Sequence, residues 1–134
     1  MKLLLDTHIL LWTLADDPRL PSAARELIEN AANAVWYSTA SLWEVSIKHA
    51  AHPDRMLAAG SEIARFSEEA GFDELPICSR HVAALETLRR KPSAPSHNDP
   101  FDRIMLAQAK SDGLLFVTHD GLIPSYGEPC VLAV

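Results

Sequence analysis

A length of 134 residues suits one domain, residues 1–134, whose core needs neither disulfides nor a structural metal. Hydrophobic residues make up 48% and charged residues 22%, which excludes a disordered or fibrous chain. The net charge of −6 excludes a broad basic footprint for nucleic acid, but not a site where crowded carboxylates surround a divalent cation, because the cation reverses the local field.

The stretch Lys2-Leu3-Leu4-Leu5 has three consecutive leucines and no polar alternation, which predicts a strand buried on both faces in a parallel sheet. It stops at Asp6, at the strand's carboxyl end, where open α/β sheets form their ligand crevice. Residues 8–15, with Ile9, Leu10, Leu11, Trp12 and Leu14, read as a short buried helix that Asp16-Asp17-Pro18 ends. Pro21-Ser22 starts a second helix reaching about residue 33, with Ala23, Leu27, Ile28 and Ala31 on one face. Val35-Trp36-Tyr37 is a second apolar strand, and a hydroxyl of Ser38-Thr39 can cap the helix that follows. That helix sets Leu42, Trp43, Val45 and Ile47 among Glu44 and Lys48, and His52-Pro53 breaks it.

Residues 57–70 form a further predicted helix stopped by Gly71, residues 72–75 a short strand, and Ser79 caps a helix over 80–88. Residues 89–98, with Pro92, Pro95 and three basic side chains, read as an exposed loop. Asp99-Pro100-Phe101-Asp102 opens a helix reaching Asp112, which Gly113 ends. Leu114-Leu115-Phe116-Val117 is a third apolar strand, ending in Thr118-His119-Asp120-Gly121, and residues 131–134 form a last edge strand. Helices alternating with short apolar strands define an α/β fold, a mainly parallel central sheet flanked by helices on both faces in three layers.

This layout sends four acids to one crevice. Asp6 and Asp120 follow buried strands, Asp102 lies in the first turn of the helix feeding the Leu114 strand, and Glu44 lies one turn into the helix after the Val35 strand. Carboxylates so crowded repel one another unless a cation sits among them, and hard oxygen donors suit Mg²⁺ or Mn²⁺. Structural readings stand beside these. Asp99 fits a helix cap, with Asp102 as its capping-box partner; Glu44 and Lys48 are spaced for a surface ion pair; Asp120-Gly121 fits a turn. His49 and His52 have loose metal spacing without a third ligand, and read as structural or surface residues. His97 and His119 flank the crevice as possible substrate contacts, and Trp12, Trp36 and Trp43 read as core. Cys78 and Cys130, with no zinc-type spacing, are expected to be buried thiols of a reducing compartment. With no membrane-length segment and a strand starting at the amino terminus, a cytoplasmic protein is expected.

Four motifs in order, Leu4-Leu5-Asp6-Thr7-His8 with Leu11-Trp12, Ser41-Leu42-Trp43-Glu44-Val45-Ser46-Ile47-Lys48, His97-Asn98-Asp99-Pro100-Phe101-Asp102-Arg103 and Val117-Thr118-His119-Asp120, resemble PIN-domain ribonucleases. More closely, they resemble the VapC-like toxins of type II toxin–antitoxin pairs. The resemblance implies an acidic quartet of Asp6, Glu44, Asp102 and Asp120, with Asp99 at an often occupied motif position and Thr118 supporting the site. It implies Mg²⁺- or Mn²⁺-dependent endonucleolytic cleavage of RNA to a 5′-phosphate and a 3′-hydroxyl. It further implies a homodimer and a cognate antitoxin (VapB-like) whose tail covers the site. Arg103, Lys48, Arg89, Arg90 and Lys91 are candidate phosphate contacts, with solvated charge as the alternative for the last three. The chain departs from the subgroup at residues 50–58, where a glycine- and lysine-containing turn is usual. Two rival readings are a phosphoryl-transfer domain with Asp6 as nucleophile, which lacks the second acid two residues on, at His8, and a non-catalytic binding module on the same fold.

Overall fold

Leu3, Leu4 and Leu5 are fully buried at the centre of a five-stranded parallel sheet in the computed structural model, which describes residues 1–134. The strands are β1 (Lys2–Leu5), β2 (Ala34–Ser38), β3 (Asp73–Leu75), β4 (Leu115–Thr118) and β5 (Val131–Ala133), in the order β3-β2-β1-β4-β5. β1 pairs with β2 from Lys2 opposite Ala34 to Leu5 opposite Tyr37, and with β4 from Leu3 opposite Leu115 to Leu5 opposite Val117. The helices are α1 (Thr7–Leu14), α2 (Ser22–Glu29), α3 (Thr39–Ala51), α4 (Gly60–Glu69), α5 (Ser79–Leu85) and α6 (Pro100–Asp112).

Strand side chains alternate between faces, so Leu4 and Phe116 pack with Met105, Leu106 and Ala109 of α6 on one side. Leu3, Leu5 and Val117 pack with Ile9 and Leu10 of α1 and Ile63 of α4 on the other. α3 spans both layers, with Ala40 in the first core and Val45 in the second. The predicted three-layer architecture is therefore the observed one. No helix is long and apolar enough to cross a membrane.

Several predicted details differ. The helix expected from residue 57 begins at Gly60 and leaves Leu57 79% exposed. Its start is set by the carboxylate of Glu62, which accepts from the Ala59 N–H at 3.1 Å, and by the close approach of Gly60 to Ser46 and the Leu42 carbonyl. The second helix stops at Glu29, where the side chains of Asn30 and Asn33 accept from Ala32 N and donate to Leu27 O. The helix expected over 80–88 is α5, and its cap is not Ser79: the Cys78 N–H donates to His81 Nδ1 at 2.9 Å. The 3-10 turn Ile123–Tyr126 was not foreseen.

Trp43 is no core residue, being 60% exposed at the edge of Phe101, because α3 turns Val45 inward instead; Trp12 and Trp36 are half-buried. Cys78 and Cys130 are free and only half-buried, with Cys130 at the margin of the core that holds Phe116.

In a parallel sheet every strand ends at the same edge. The chain steps from β1 outward to β2 and β3, then returns past β1 to β4 and β5, so winding reverses between β1 and β4. That reversal opens the crevice of a doubly wound sheet. Asp6 follows β1 and Thr118 ends β4, one on each side of it.

Candidate metal centre

Thr118 donates to Asp6 Oδ2 at 2.6 Å and accepts from the Asp120 N–H at 3.1 Å, so one hydroxyl ties two carboxylate-bearing segments across the crevice. Asp120 Oδ1 in turn accepts from Leu122 N at 2.8 Å, the turn geometry anticipated for Asp120-Gly121. Asp102 is placed by the start of α6. Asp99 Oδ1 accepts from the N–H groups of Phe101 and Asp102 at 2.8 and 3.2 Å, and Pro100 occupies the first turn without a wasted donor. Asp99 is thus the helix cap. Gly113, at φ 72°, closes the far end in the left-handed conformation that glycine tolerates.

Glu44 comes from α3, whose start is capped by Ser38 Oγ accepting from Ala40 N at 3.0 Å. The first turns of α1 and α3 meet through Thr7 and Ser41, whose hydroxyls lie 2.8 Å apart, and Ser41 contacts Met105 Sδ in the second turn of α6 at 3.4 Å. The helix that follows Asp6 and the two that carry Glu44 and Asp102 therefore share one buried joint.

Asp6, Glu44 and Asp102 are 4%, 5% and 9% exposed. Burial, then the charges of Asp6, Asp99, Glu44 and Asp120, push the Asp102 carboxyl up to about 8. Burial also raises Asp6, against the lowering effect of the Thr118 hydrogen bond. Lys48 reaches Glu44 Oε2 at 2.7 Å, so the expected ion pair exists, but it is not a surface pair, because Glu44 is buried. Glu44 Oε1 is buried with no hydrogen-bond partner. A buried carboxylate oxygen left bare among other acids is costly unless a cation meets it. Hard oxygen donors of this kind suit a divalent ion, and the ligand atoms that lie within 4.8 Å of one another are those of Asp102, Asp120 and His97.

The structure also moves His97 from the rim to the interior. Its side chain is 3% exposed, although the surrounding loop is open to solvent as predicted. Nε2 lies 3.2 Å from Asp102 Oδ2 and Nδ1 lies 2.7 Å from Tyr126 Oη. Burial lowers its pKa, with Arg90 and Arg103 acting in the same direction and Asp120 and Asp99 opposing. Tyr126, supplied by the unforeseen 3-10 turn, is invisible in the pattern of apolar runs. His97 has one sequence signal, its place just ahead of the Asp99 cap. His119 stays at the rim, its Nδ1 2.5 Å from Val134 O and its ring edge-on to Trp12, and lines a pocket with Asp6, His8, Arg19 and Asp120.

Among the basic candidates, Arg90 donates to Ser125 Oγ at 2.9 Å and lies over the Tyr126 ring, and Arg103 shares a pocket with it beside His97. Arg89 donates instead to the Glu86 and Leu88 carbonyls, and Lys91 is exposed. His49 Nδ1 lies 2.6 Å from Met56 O, a structural contact on the far turn of α3, while His52 forms the exposed C-cap of that helix.

A parallel, doubly wound sheet with buried acids at its switch point defines a class of α/β proteins with an acidic crevice. The PIN domain family model matches residues 3–128, and the chain belongs to that family. Among solved structures, the chain is similar to one in the crystal structure of VapBC2 from Rickettsia felis bound to a DNA fragment from their promoter. The TM-score is 0.66 at 14% identity, over 100% of this chain and 98% of that one, a likeness of fold. No curated protein sequence matches the chain.

Proposed function

We propose that the chain is a Mg²⁺- or Mn²⁺-dependent endoribonuclease and the VapC-like toxin of a type II toxin–antitoxin pair. The carrying observation is the buried carboxylate cluster at the switch point, with Glu44 Oε1 unpartnered. Membership of the PIN family, whose members are generally nucleases, and the fold shared with a VapBC2 chain support it.

Asp6, Glu44, Asp102 and Asp120 would hold the cation, which supplies charge neutralisation at the phosphoryl oxygens and acidification of the attacking water. In the reaction a water oxygen bonds to phosphorus, the bond from phosphorus to the 3′ oxygen breaks, and that oxygen takes a proton. Thr118 fixes the Asp6 carboxylate that faces the crevice, and Lys48 neutralises one oxygen of Glu44 while leaving the other free. Asp102 must give up its proton before it can act as a ligand. Arg90 and Arg103, which line one pocket beside His97, would meet flanking phosphates.

An antitoxin segment would cover the apolar groove of Leu11, Trp12, Met56 and Phe66 that adjoins the crevice. A second copy would meet the exposed Trp43 and Ile47 of α3. Both partners follow from the resemblance to VapC-like toxins.

The test is cleavage of a mixed RNA panel by the isolated chain with Mg²⁺ or Mn²⁺, with EDTA, and with Asp6→Asn and Asp102→Asn. Metal-dependent cuts that vanish in both variants are expected. Cuts that persist in both would come from a contaminant, and metal binding with no cleavage of any RNA would favour a binding module.

A further inference from the structure

The acids of the crevice are joined by one nitrogen donor that the family resemblance does not assign. Nε2 of His97 lies 3.2 Å from Asp102 Oδ2 and 4.0 Å from Asp120 Oδ2. Potential ligand atoms of His97, Asp102 and Asp120 all lie within 4.8 Å of one another. A buried imidazole needs a partner for each nitrogen. Tyr126 Oη, at 2.7 Å, satisfies Nδ1 and fixes the ring from behind. When Nδ1 carries the hydrogen and donates to Tyr126, the Nε2 lone pair faces the two carboxylates. This is the arrangement of a metal-binding histidine whose second nitrogen is held by an outer hydrogen bond. Glu44, close enough for its charge to raise Asp102, has a buried Oε1 without a partner, a separate sign that a ligand belongs in this crevice.

We propose that His97 is itself a ligand, so that the crevice holds its cation through nitrogen as well as oxygen, with Asp102 and Asp120 as its partners. The proposal rests on reading the acidic cluster as a divalent-cation site. Its consequence is selectivity. Mg²⁺ holds most strictly to an all-oxygen shell, whereas the divalent first-row ions accept imidazole, Mn²⁺ least strongly among them, so His97 tilts the site away from Mg²⁺. The alternative for the same geometry is that Nε2–H donates to Asp102 and only positions that carboxylate.

Pulsed EPR of the full-length chain loaded with Mn²⁺ separates the two. Directly bound ¹⁴N is expected in the electron spin-echo modulation, and it should disappear in His97→Gln. It should survive in His8→Ala and His119→Ala, which remove the exposed imidazoles at the same crevice, so the assignment holds by elimination even if His97→Gln fails to fold. Calorimetric titration should show His97→Gln weakening Mn²⁺ binding by roughly tenfold more than Mg²⁺ binding. Bound Mn²⁺ without coordinated nitrogen, or nitrogen that persists in His97→Gln, would overturn the ligand assignment and leave the metal-site reading standing. No Mn²⁺ binding at all would remove both.

Discussion

The Thr118 hydroxyl donates to Asp6 Oδ2 at 2.6 Å across the point where the winding of the sheet reverses. The bond joins the last residue of β4 to the first residue beyond β1, so the two central strands are locked at the edge where the carboxylates gather. The same oxygen accepts from Asp120 N–H, so it orders two of the four proposed carboxylate ligands at once.

Thr118→Val keeps the shape of the side chain and removes both bonds. The Asp120 N–H then loses its acceptor, and a loss of stability of about 1–3 kcal/mol is expected in urea unfolding. The Asp6 carboxyl, already raised by burial, rises further without its donor. Cleavage should therefore fall by roughly tenfold at neutral pH and recover in part as the pH is raised. Thr118→Ser, which keeps the donor, should stay near the parent rate. Equal rates for Val and Thr at every pH would show that the hydroxyl does not serve the site.

Asp102 gives the pH dependence of the metal-free protein. Its carboxyl is pushed up to about 8, first by burial and then by its acidic neighbours, whereas in the unfolded chain it titrates near ~4. The folded state holds this proton more tightly, so the associated stability is full below about pH 4 and is lost as the pH rises through about 8. Asp102→Asn, which mimics the neutral acid, should therefore raise the Tm of the metal-free protein at pH 8.5 by several degrees, about 4 °C per kcal/mol recovered. Near pH 4 the two proteins should melt together. Mn²⁺ should stabilise the parent and release about one proton per ion at pH 7, measurable by calorimetry in buffers of different ionisation enthalpy. An Asp102→Asn protein that melts lower than the parent at pH 8.5 would contradict the shift.

Much of this was legible in the residues, because local signals and tertiary demands agreed. The leucine run, the apolar stretch at 114–117 and the Asp99-Pro100 cap each specify an element without outside help. Once the strands are parallel, the acids that follow them must share an edge. The losses came where packing overrode the local pattern. Trp43 sits in an aliphatic run, yet the rotation of α3 that buries Glu44 and Val45 turns it outward. His97 lies in a stretch rich in proline and charge that reads as solvated, and Tyr126, 29 positions later, gives the second nitrogen of its ring a buried partner. Gln108 is fully buried in α6 and gave no sign, because its partners are at the ends of β2 and β3.

Gly60 marks the crossing of α3 and α4. A Cβ there would collide with Ser46 Oγ and with the Leu42 carbonyl, and backbone cannot yield as a side-chain tip can. Gly60→Ala should gain helix propensity yet lose about 1–3 kcal/mol overall from overpacking. In the Ser46→Ala background part of the loss should return, but not the share owed to Leu42. The check is chemical denaturation of the single and double variants. A Gly60→Ala protein more stable than the parent would mean that the two helices separate freely.

Gln108 anchors α6 two turns beyond Asp102. Its Oε1 accepts from Ser38 Oγ at 2.5 Å and its Nε2 donates to Leu75 O at 3.2 Å, so one side chain ties the helix to the ends of two strands. Gln108→Leu fills nearly the same volume but leaves the Ser38 hydroxyl and the Leu75 carbonyl buried without this partner. The Ser38 hydroxyl loses its acceptor, while Leu75 O keeps the longer Thr39 contact at 3.4 Å, so a loss of about 1–3 kcal/mol is expected. Ser38 also caps α3 through Ala40 N. Ser38→Ala alone should therefore cost about 1 kcal/mol for the cap as well as its share of the Gln108 bond. The double variant, with no stranded hydroxyl, should be more stable than the sum of the two losses predicts, by about 1 kcal/mol in a double-mutant cycle. Strict additivity would show that the two side chains do not depend on each other, and that α6 is held against the strand ends by packing alone.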